Sequence, residues 1–117
     1  MTVTIVALTT VNTENLDDVS TYLGTTTPLL DKAGARIVTR CEVARTIVGQ
    51  LTPSMLTIVE YPNEDAIASV FESAEYGYLQ EVRERAFLQY EVYQTAERPS
   101  EIAIKAALGA TEPDDLG

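Results

Sequence analysis

The stretch SAEYGYLQEVRERAF, residues 73–87, decides how the rest of the chain is interpreted, because it combines helical spacing with an arginine on its buried side. At about 100° per residue, Leu79 and Val82 lie on one apolar stripe. Tyr76 and Arg83 lie within about 60° of Leu79 on the same side. Burial of an unpaired guanidinium costs on the order of several kcal/mol. We therefore expect Arg83 to have a partner, and we take this stripe as the best indication of a functional site.

Length and composition are typical of an ordinary globular domain. The chain has 117 residues, of which 45% are apolar and 22% charged, and this predicts one domain with a core of its own. No segment approaches the roughly 20 apolar residues of a membrane span. The N-terminus also lacks the basic region of a signal peptide. These observations predict a cytoplasmic protein that does not bind membranes.

The charged and reactive side chains limit the possible chemistry. A formal net charge of -10 would repel nucleic acid, so we predict no nucleic-acid partner. Histidine is absent and Cys41 is the sole cysteine, which removes the commonest metal ligand and any thiolate cluster. We predict neither a metal nor a cofactor. Proton chemistry is then left to carboxylates, tyrosines or the single thiol.

Hydrophobic periodicity gives the element order β-α-β-β-α-β. The predicted strands cover residues 2–8, 35–48, 55–61 and 88–95, the first helix covers 14–33, and a second helical layer in two pieces divides near residues 72–74. Two crossovers of this kind place both helices on one face of a four-stranded antiparallel sheet. The predicted fold is therefore α+β and ferredoxin-like.

Proline, glycine and capping residues mark the expected helix ends. Pro28 predicts a kink or break of the first helix near residues 25–27, because proline removes one backbone hydrogen bond. Gly34 is expected to end that helix in a left-handed conformation. Asn63 and Ser73 are the expected N-caps of the second helical layer.

The predicted architecture leaves one sheet face without helices. Because that face still carries apolar side chains, we expect a homodimer formed through the sheet faces. Residues 1–97 are predicted to form this domain. Residues 98–117 are predicted to be a C-terminal extension, with one short helix over residues 101–108 and a disordered acidic end.

Several residues together form a pattern that spans about residues 2–96: Asp18 and Tyr22, Pro28, Gly34 with Arg40, the Val-Glu-Tyr-Pro of residues 59–62, and Ser73-x-Glu75-Tyr76 followed by Arg83. This pattern resembles the uncharacterised family known as domain of unknown function 1330, in the dimeric α+β barrel superfamily. The resemblance implies a homodimer whose sheets pack face to face, with a pocket between each sheet and its helices or at the barrel mouth.

The superfamily includes cofactor-independent monooxygenases, polyketide cyclases, chlorite dismutase-like haem proteins and muconolactone isomerase-type enzymes. Without histidine, this chain lacks the proximal haem ligand of those haem proteins. The fold alone does not select among the remaining activities.

Three residues are the catalytic candidates. Arg83 can hold a carboxylate, enolate or phenolate, with the Tyr76 hydroxyl as a second donor. Alternatively, Arg83 reaches the helix edge and binds a carbonyl while Tyr76 only packs. Glu60 shares a strand face with Leu56 and Ile58, so burial could raise its pKa and make it a general base. The alternative for Glu60 is an ion pair with Arg40 or Arg83.

Three further residues are candidates for substrate binding. Arg40 lies two pleats from Arg36 on one strand face, and it either contacts substrate or remains solvated. Tyr22 lies near the buried stripe of the first helix, where it either packs or donates a proton. Ser73 is expected to cap a helix first and to contact a ligand second. Cys41 is interpreted as a small buried hydrophobe.

Two functions fit these residues. The first is a small homodimeric, cofactor-independent enzyme, such as an isomerase, cyclase or monooxygenase, that acts on an apolar carbonyl, enol or carboxylate compound. The second is a non-catalytic module that binds a small molecule or mediates interaction as a dimer. An enclosed cavity contacted by Arg83 and Glu60 would favour the enzyme, and a filled core in which these two side chains pair would favour the module.

Overall fold

The computed structural model describes residues 2–96 and Leu108. Its strands are β1 (Val3–Val11), β2 (Arg36–Glu42), β3 (Met55–Tyr61) and β4 (Phe87–Gln94), and its helices are α1 (Leu16–Lys32), α2 (Glu64–Phe71), α3 (Ala74–Gly77) and α4 (Gln80–Ala86). Apart from Leu108, the predicted helix and disordered end of the C-terminal extension lie outside the described residues.

The strands form one sheet in the order β2-β3-β1-β4, and each neighbouring pair is antiparallel. Alternate strand residues such as Ile5 and Val59 are buried, and they share one core with Val19 of α1 and Val70 of α2. The same side of the sheet therefore meets both helical segments. This arrangement confirms the predicted α+β, ferredoxin-like fold.

Helix α1 continues through Pro28 to Lys32, so the break suggested for residues 25–27 does not occur. Thr26 and Thr27, in the turn before Pro28, donate their side-chain hydroxyls to backbone carbonyls one turn earlier, at 2.9 and 2.7 Å. The helix thus continues through the proline, and Val19, Tyr22 and Thr26 are buried along it.

The end of α1 has the left-handed glycine that the sequence predicts. Gly34 has a φ of +75°. Its N–H donates to the carbonyl of Asp31 at 3.0 Å, and the N–H of Ala35 donates to the carbonyl of Leu30 at 2.9 Å. This pair of bonds is a Schellman motif, which satisfies the last carbonyls of the helix.

The second helical layer consists of three pieces rather than the two that were predicted. Both predicted caps are present: Asn63 accepts a hydrogen bond from the N–H of Ala66 at 2.8 Å, and Ser73 accepts one from the N–H of Tyr76 at 3.1 Å. A further turn at residues 78–79 separates α3 from α4. This turn falls inside the stretch that the periodicity presented as one helix.

Strand β2 is shorter than predicted and contains a β-bulge. It ends at Glu42, and residues 43–54 form the connection to β3. Ile37 pairs with Val59, whereas Thr39 pairs with Ile58, which leaves Val38 as an extra residue. A bulge of this kind changes the sheet face on which the following residues lie.

We call the side of the sheet without helices the outer face and the helix-covered side the inner face. The outer face carries the following side chains: Thr4, Val6, Leu8, Arg36, Thr39, Cys41, Leu56, Ile58, Glu60, Gln89, Glu91 and Tyr93. Cys41 is exposed there, so its interpretation as a buried hydrophobe is wrong for this chain.

Candidate functional site

A cavity of about 80 Å³ lies between the inner face and the helices. Apolar side chains form most of its wall, and its polar groups include Arg40, Thr57 and three tyrosines, Tyr22, Tyr76 and Tyr90. No aspartate or glutamate of the described residues lines it. For scale, a cavity of about 150 Å³ holds benzene. In this conformation, the enclosed volume is therefore below that of a cavity that holds benzene, and a larger ligand must extend toward the open side of the cavity.

The hydroxyls of Tyr22, Tyr76 and Tyr90, which we call the tyrosine cluster, meet at one end of the cavity wall. The Tyr22 hydroxyl lies 2.9 Å from that of Tyr76 and 2.5 Å from that of Tyr90. The Tyr76 and Tyr90 hydroxyls are 3.3 Å apart. Each residue comes from a different element, respectively α1, α3 and β4. The tertiary fold thus brings together three phenols that are far apart in sequence.

Aromatic packing holds the tyrosine cluster in place. The ring of Tyr22 packs edge-on against Phe87 at a centroid distance of 5.2 Å, and Phe87 also contacts Tyr90 at 5.2 Å. Phe71 packs edge-on against Tyr76 at 5.0 Å. Edge-to-face pairs at such distances are favourable beyond the area that they bury. The positions of the three hydroxyl oxygens are therefore fixed by the core.

Two tyrosines of the cluster, Tyr22 and Tyr90, strongly favour the neutral phenol. Burial raises the pKa of Tyr22 and the pKa of Tyr90 well above the ordinary phenol value, and the proximity of Tyr76 raises both further. Burial, followed by the proximity of Tyr76, raises the pKa of the nearby Tyr61 to about 12. These hydroxyls are therefore proton donors, and a phenolate formed from Tyr22 or Tyr90 would be a strong base.

Arg83 contacts the tyrosine cluster from outside the cavity. Its Nη1 donates to the Tyr76 hydroxyl oxygen at 3.2 Å, and its Cζ lies 5.7 and 5.4 Å from the ring centroids of Tyr76 and Tyr90. Arg83 does not line the cavity, in contrast to its expected position. The partner expected for this guanidinium is therefore a pair of tyrosines, through one hydrogen bond and two cation–π contacts.

The hydrogen-bonding capacity of the cluster leaves a donor for a ligand. Each phenol has one O–H donor and two lone pairs, so three hydroxyls can form a closed ring. Arg83 adds a further N–H donor to the oxygen of Tyr76. One O–H can consequently turn toward an acceptor in the cavity while the Tyr76 oxygen remains hydrogen-bonded.

Two sets of contacts position α4, which carries Arg83. Arg85 donates to both carboxylate oxygens of Asp18 in α1, at 3.1 and 3.2 Å. Asn12 and Asn15 donate from their side-chain amides to the backbone carbonyl of Arg85, at 3.2 and 3.1 Å. These bonds attach the start of α1 to the end of α4.

Ser73 acts on the site through the backbone. Its hydroxyl caps α3 and donates to the carbonyl of Val70 at 2.6 Å, but Ser73 does not line the cavity. The cap fixes the backbone of Tyr76, whose hydroxyl belongs to the cluster. The geometry thus supports its expected capping role, while a ligand contact by Ser73 has no geometric support.

Glu60 lies on the outer face, away from Tyr76 and Arg83. It forms an ion pair at 3.0 Å with Arg36, which is directly opposite it in the sheet register. The expected alternatives, a pairing with Arg40 or Arg83, are both wrong. The sheet separates Glu60 from the cavity, so Glu60 is not a candidate base for chemistry there.

Arg40 is brought to the cavity by the bulge at Val38. It lies opposite Thr57 on the inner face, and its Nε donates to the Thr57 hydroxyl at 3.4 Å. Arg36, four positions earlier, lies on the outer face instead. The two arginines therefore do not share a face, as they would in a regular strand.

Tyr90 is the site residue that sequence reasoning missed. Tyr90 and Val92 alternate with Glu91 and Tyr93, which is also the ordinary pattern of a strand. A signal was available: Tyr22, Tyr76 and Tyr90 each fall on the apolar side of a predicted element, and phenols on buried faces need hydrogen-bond partners. Their meeting point, however, depends on how the helices cross the sheet.

Solved structures with the same fold define the structural class. A protein of unknown function from Rhodopseudomonas palustris superposes with a TM-score of 0.71, at 14% identity over 84% of each chain. A dimeric ferredoxin-like protein of unknown function from Thermobifida fusca gives 0.52, at 13% identity over 82% of this chain and 91% of that one. SnoaB, a cofactor-independent oxygenase from Streptomyces nogalater, gives 0.58, at 15% identity over 86% and 96%. At such identities the likeness shows the ferredoxin-like fold alone.

The sequence assigns the chain to a family within that class. The model of the family described as domain of unknown function (DUF1330) matches residues 4–95, and the chain belongs to this family. Among curated proteins, none has a significantly similar sequence. In the part of the chain that the structure describes, no helix is long and apolar enough to cross a membrane.

Side chains suited to a metal ion do not converge on the cavity. Within residues 2–96, no group of three or more carboxylate or thiol side chains could hold one. The polar groups of the cavity wall are phenols, threonine hydroxyls and one guanidinium, which bind oxygen atoms of a ligand by donating hydrogen bonds.

Proposed function

We propose that the chain is a small enzyme that acts on a compact carbonyl or enol compound, with the tyrosine cluster as its acid and base. The observation that supports this proposal is the convergence of three phenol hydroxyls on an apolar cavity, with Arg83 hydrogen-bonded to one of them. Donors fixed in an apolar cavity stabilise negative charge that develops on a carbonyl oxygen.

Keto–enol isomerisation is the reaction that this arrangement suits. One tyrosine gives its proton to the carbonyl oxygen and takes up the proton of a hydrogen-bonded neighbour in the cluster. The oxygen of that neighbour, now a phenolate, accepts the proton from the adjacent carbon, so that both phenols are restored. The step conserves protons and electrons and needs no co-reactant. Arg83 stabilises the negative charge while it resides on the cluster.

The apolar wall contributes to the same chemistry. A phenolate of Tyr22 or Tyr90 is a stronger base than one in water, because burial raises the pKa of both side chains. A strong base is required to remove a proton from carbon beside a carbonyl, and no carboxylate of the described residues lines the cavity to supply one. The cluster therefore combines the acid with the base.

Self-association through the outer face is part of this proposal. The outer face carries Val6, Leu8, Leu56 and Ile58 without a covering helix. The Thermobifida fusca relative in fold is described as dimeric. Two copies of this chain would bury these side chains against each other while the cavities, on the inner faces, stay separate.

A non-catalytic small-molecule-binding module is the second candidate. It is favoured by the lack of a carboxylate base in the described cavity wall and by the small cavity volume of about 80 Å³. In that case the same hydroxyls would hold a carbonyl oxygen without moving protons.

Hydrogen exchange at carbon separates the two candidates. Methyl laevulinate and laevulinate, incubated with the protein in deuterated water, are followed by proton NMR for loss of signal beside the ketone. The enzyme should accelerate this exchange, and Tyr90→Phe should slow it by about 100-fold or more. Tyr78→Phe is the matched control, because Tyr78 is 84% exposed.

The result depends on folded variants, so circular dichroism accompanies each measurement. A folded Tyr90→Phe protein that exchanges at the wild-type rate would show that the cluster does not move protons. Binding of either probe without any exchange in the wild type would favour the non-catalytic module.

A further inference from the structure

Arg40 is the charged side chain of the described cavity wall, and its position results from one irregularity of the fold. Strand β2 would carry Arg36 and Arg40 on the same face if it were regular, because side chains alternate with a period of two. The bulge at Val38 instead leaves Arg36 on the outer face and turns Arg40 to the inner face. Bulges beside functional sites often redirect a side chain in this way.

The two arginines differ in their partners as well as in their faces. Arg36 forms an ion pair with Glu60 at 3.0 Å. Arg40 has no ion pair within residues 2–96, although the chain contains 18 acidic residues. Its Nε is 3.4 Å from the Thr57 hydroxyl, and the same described residues provide no acceptor for its Nη atoms. The fork of the guanidinium that binds a carboxylate through two hydrogen bonds is therefore open.

Arg40 and the tyrosine cluster lie on opposite sides of the cavity. Arg40 is on β2, one edge of the sheet, whereas Tyr90 is on β4, the other edge. The register places Arg40, Thr57, Ala7 and Val92 in one row across the sheet, and Tyr90 in the next row. Three strand spacings separate the two edges, or roughly 14 Å between backbones. Side chains from both edges line one cavity, so a ligand in it can be held at both ends.

We infer that the substrate class is a small oxo acid, whose carboxylate is bound by Arg40 while its ketone oxygen faces the tyrosine cluster. This inference rests on the proposed function and adds Arg40 as the residue that determines specificity. Arg40 is exposed, so it marks the end of the cavity that is open to solvent. A carboxylate is costly to desolvate, and this open end lets it remain partly hydrated.

The negative net charge of the chain disfavours anion binding except beside a local positive group. The formal net charge of -10 repels anions over most of the surface. A preference for an anion over a neutral analogue must therefore come from a local group. With Arg83 behind the tyrosines, Arg40 is the guanidinium that can contact a ligand in the cavity as described.

Matched probes test this inference directly. Pyruvate, acetoacetate and laevulinate carry a ketone at increasing distances from a carboxylate, and their methyl esters keep the ketone but lose the charge. We expect at least one acid to bind the wild type about tenfold or more tightly than its ester, as measured by NMR titration of the protein. Added salt should weaken binding of the acid and leave that of the ester unchanged.

Arg40→Gln should lower the affinity for that acid to the level of its ester, since the lost interaction is a single charge-assisted contact. The affinity of this variant for the ester should stay within about twofold of the wild-type value. Arg36→Gln is the matched control, with the same change on the same strand but on the outer face, and it should leave both affinities unchanged.

Other results would overturn the inference. The role of Arg40 would be rejected if the Arg40→Gln variant still preferred the acid, or if the wild type bound acids and esters equally. Neither result would contradict the proposed function. Failure of every acid and every ester to bind would reject the proposed function as well.

Discussion

The two faces of the sheet are built from the same four strands, yet they treat charge in opposite ways. On the outer face, Arg36 and Glu60 neutralise each other in a register pair. On the inner face, Arg40 has no carboxylate partner within residues 2–96. Arg83, on helix α4 above that face, contacts phenols instead. Strand pairing thus neutralises this pair of side chains on the outer face, while the inner face retains hydrogen-bond donors for a ligand.

The two faces also differ in how their side chains are held. The inner face obtains its order from buried rings and hydroxyls that satisfy one another. The outer face has apolar side chains beside a solvated ion pair, which is suited to contact with another surface. The faces are therefore expected to respond very differently to substitution.

The largest expected effect follows from truncation of the inner face. Tyr61 is 1% exposed, and Tyr61→Ala should lower the free energy of unfolding by about 3–5 kcal/mol, because it removes a buried ring and leaves a cavity. Tyr78→Ala, at a position that is 84% exposed, should change it by no more than about 0.5 kcal/mol. Urea titration compares them, and equal losses would contradict the distinction between buried and exposed tyrosines.

A smaller loss is expected from the polar part of the same face. Tyr76→Phe removes the acceptor of Arg83 and one member of the cluster, so the free energy of unfolding should fall by about 1.5–3 kcal/mol. Chemical denaturation of Tyr76→Phe and Arg83→Met, alone and combined, gives the coupling between them. Fully additive losses would argue against an interaction between these side chains.

The cap of α3 should contribute less again. Ser73→Ala removes the acceptor for the N–H of Tyr76 and should lower the free energy of unfolding by about 1 kcal/mol. Ser73→Asp should restore most of it, because aspartate is also a good N-cap. If Ser73 only positions Tyr76, then Ser73→Asp should also recover carbon-exchange activity; recovery of stability without activity would point to a ligand contact.

Alkaline pH should destabilise the inner face through Tyr61. Because burial raises the pKa of Tyr61 to about 12 from 10.0, the folded state favours the neutral phenol. This contribution to stability is fully present below pH 10, the value for the unfolded chain, and is lost as the pH rises toward about 12. Tyr61→Phe should make the unfolding free energy less dependent on pH across this interval, and an unchanged slope would show that Tyr61 does not contribute.

The smallest effect is expected from the ion pair of the outer face. Glu60→Gln should change the free energy of unfolding by no more than about 0.5 kcal/mol, because the side chains of Arg36 and Glu60 are 67% and 34% exposed. It should also leave carbon exchange and probe binding unchanged. A large loss of activity in Glu60→Gln would restore the general-base role that its position argues against.

Much of the architecture followed from local signals. Helical spacing, the Gly34 terminus and the caps at Asn63 and Ser73 predicted the elements and their order, since each depends on residues within a few positions. The bulge at Val38 had no such signal, because it is defined by pairing with β3, a partner distant in sequence. This one residue explains why the expectation that Arg36 and Arg40 share a face is wrong.

The candidate site was predicted in part. Tyr76 and Arg83 were identified together, and they are hydrogen-bonded, although Arg83 lies behind the cavity wall instead of in it. Tyr22 was left between packing and proton donation, and its hydroxyl proves to be at the centre of the cluster. Glu60 was expected on the helix-covered face of the sheet but lies on the outer face. Alternation along one strand shows which residues share a face but not which face meets the helices.

The sequence by itself determined the fold, the family and the residue types available for proton chemistry, because periodicity, caps and the absence of histidine can all be read along the chain. The tertiary structure alone decided which of these residues meet. The hydroxyls of Tyr22, Tyr76 and Tyr90 converge only when α1 and α3 pack on β4, and Arg40 reaches the cavity only through the bulge. Contacts between residues distant in sequence depend on sheet register and helix packing, and neither leaves a local mark in the sequence.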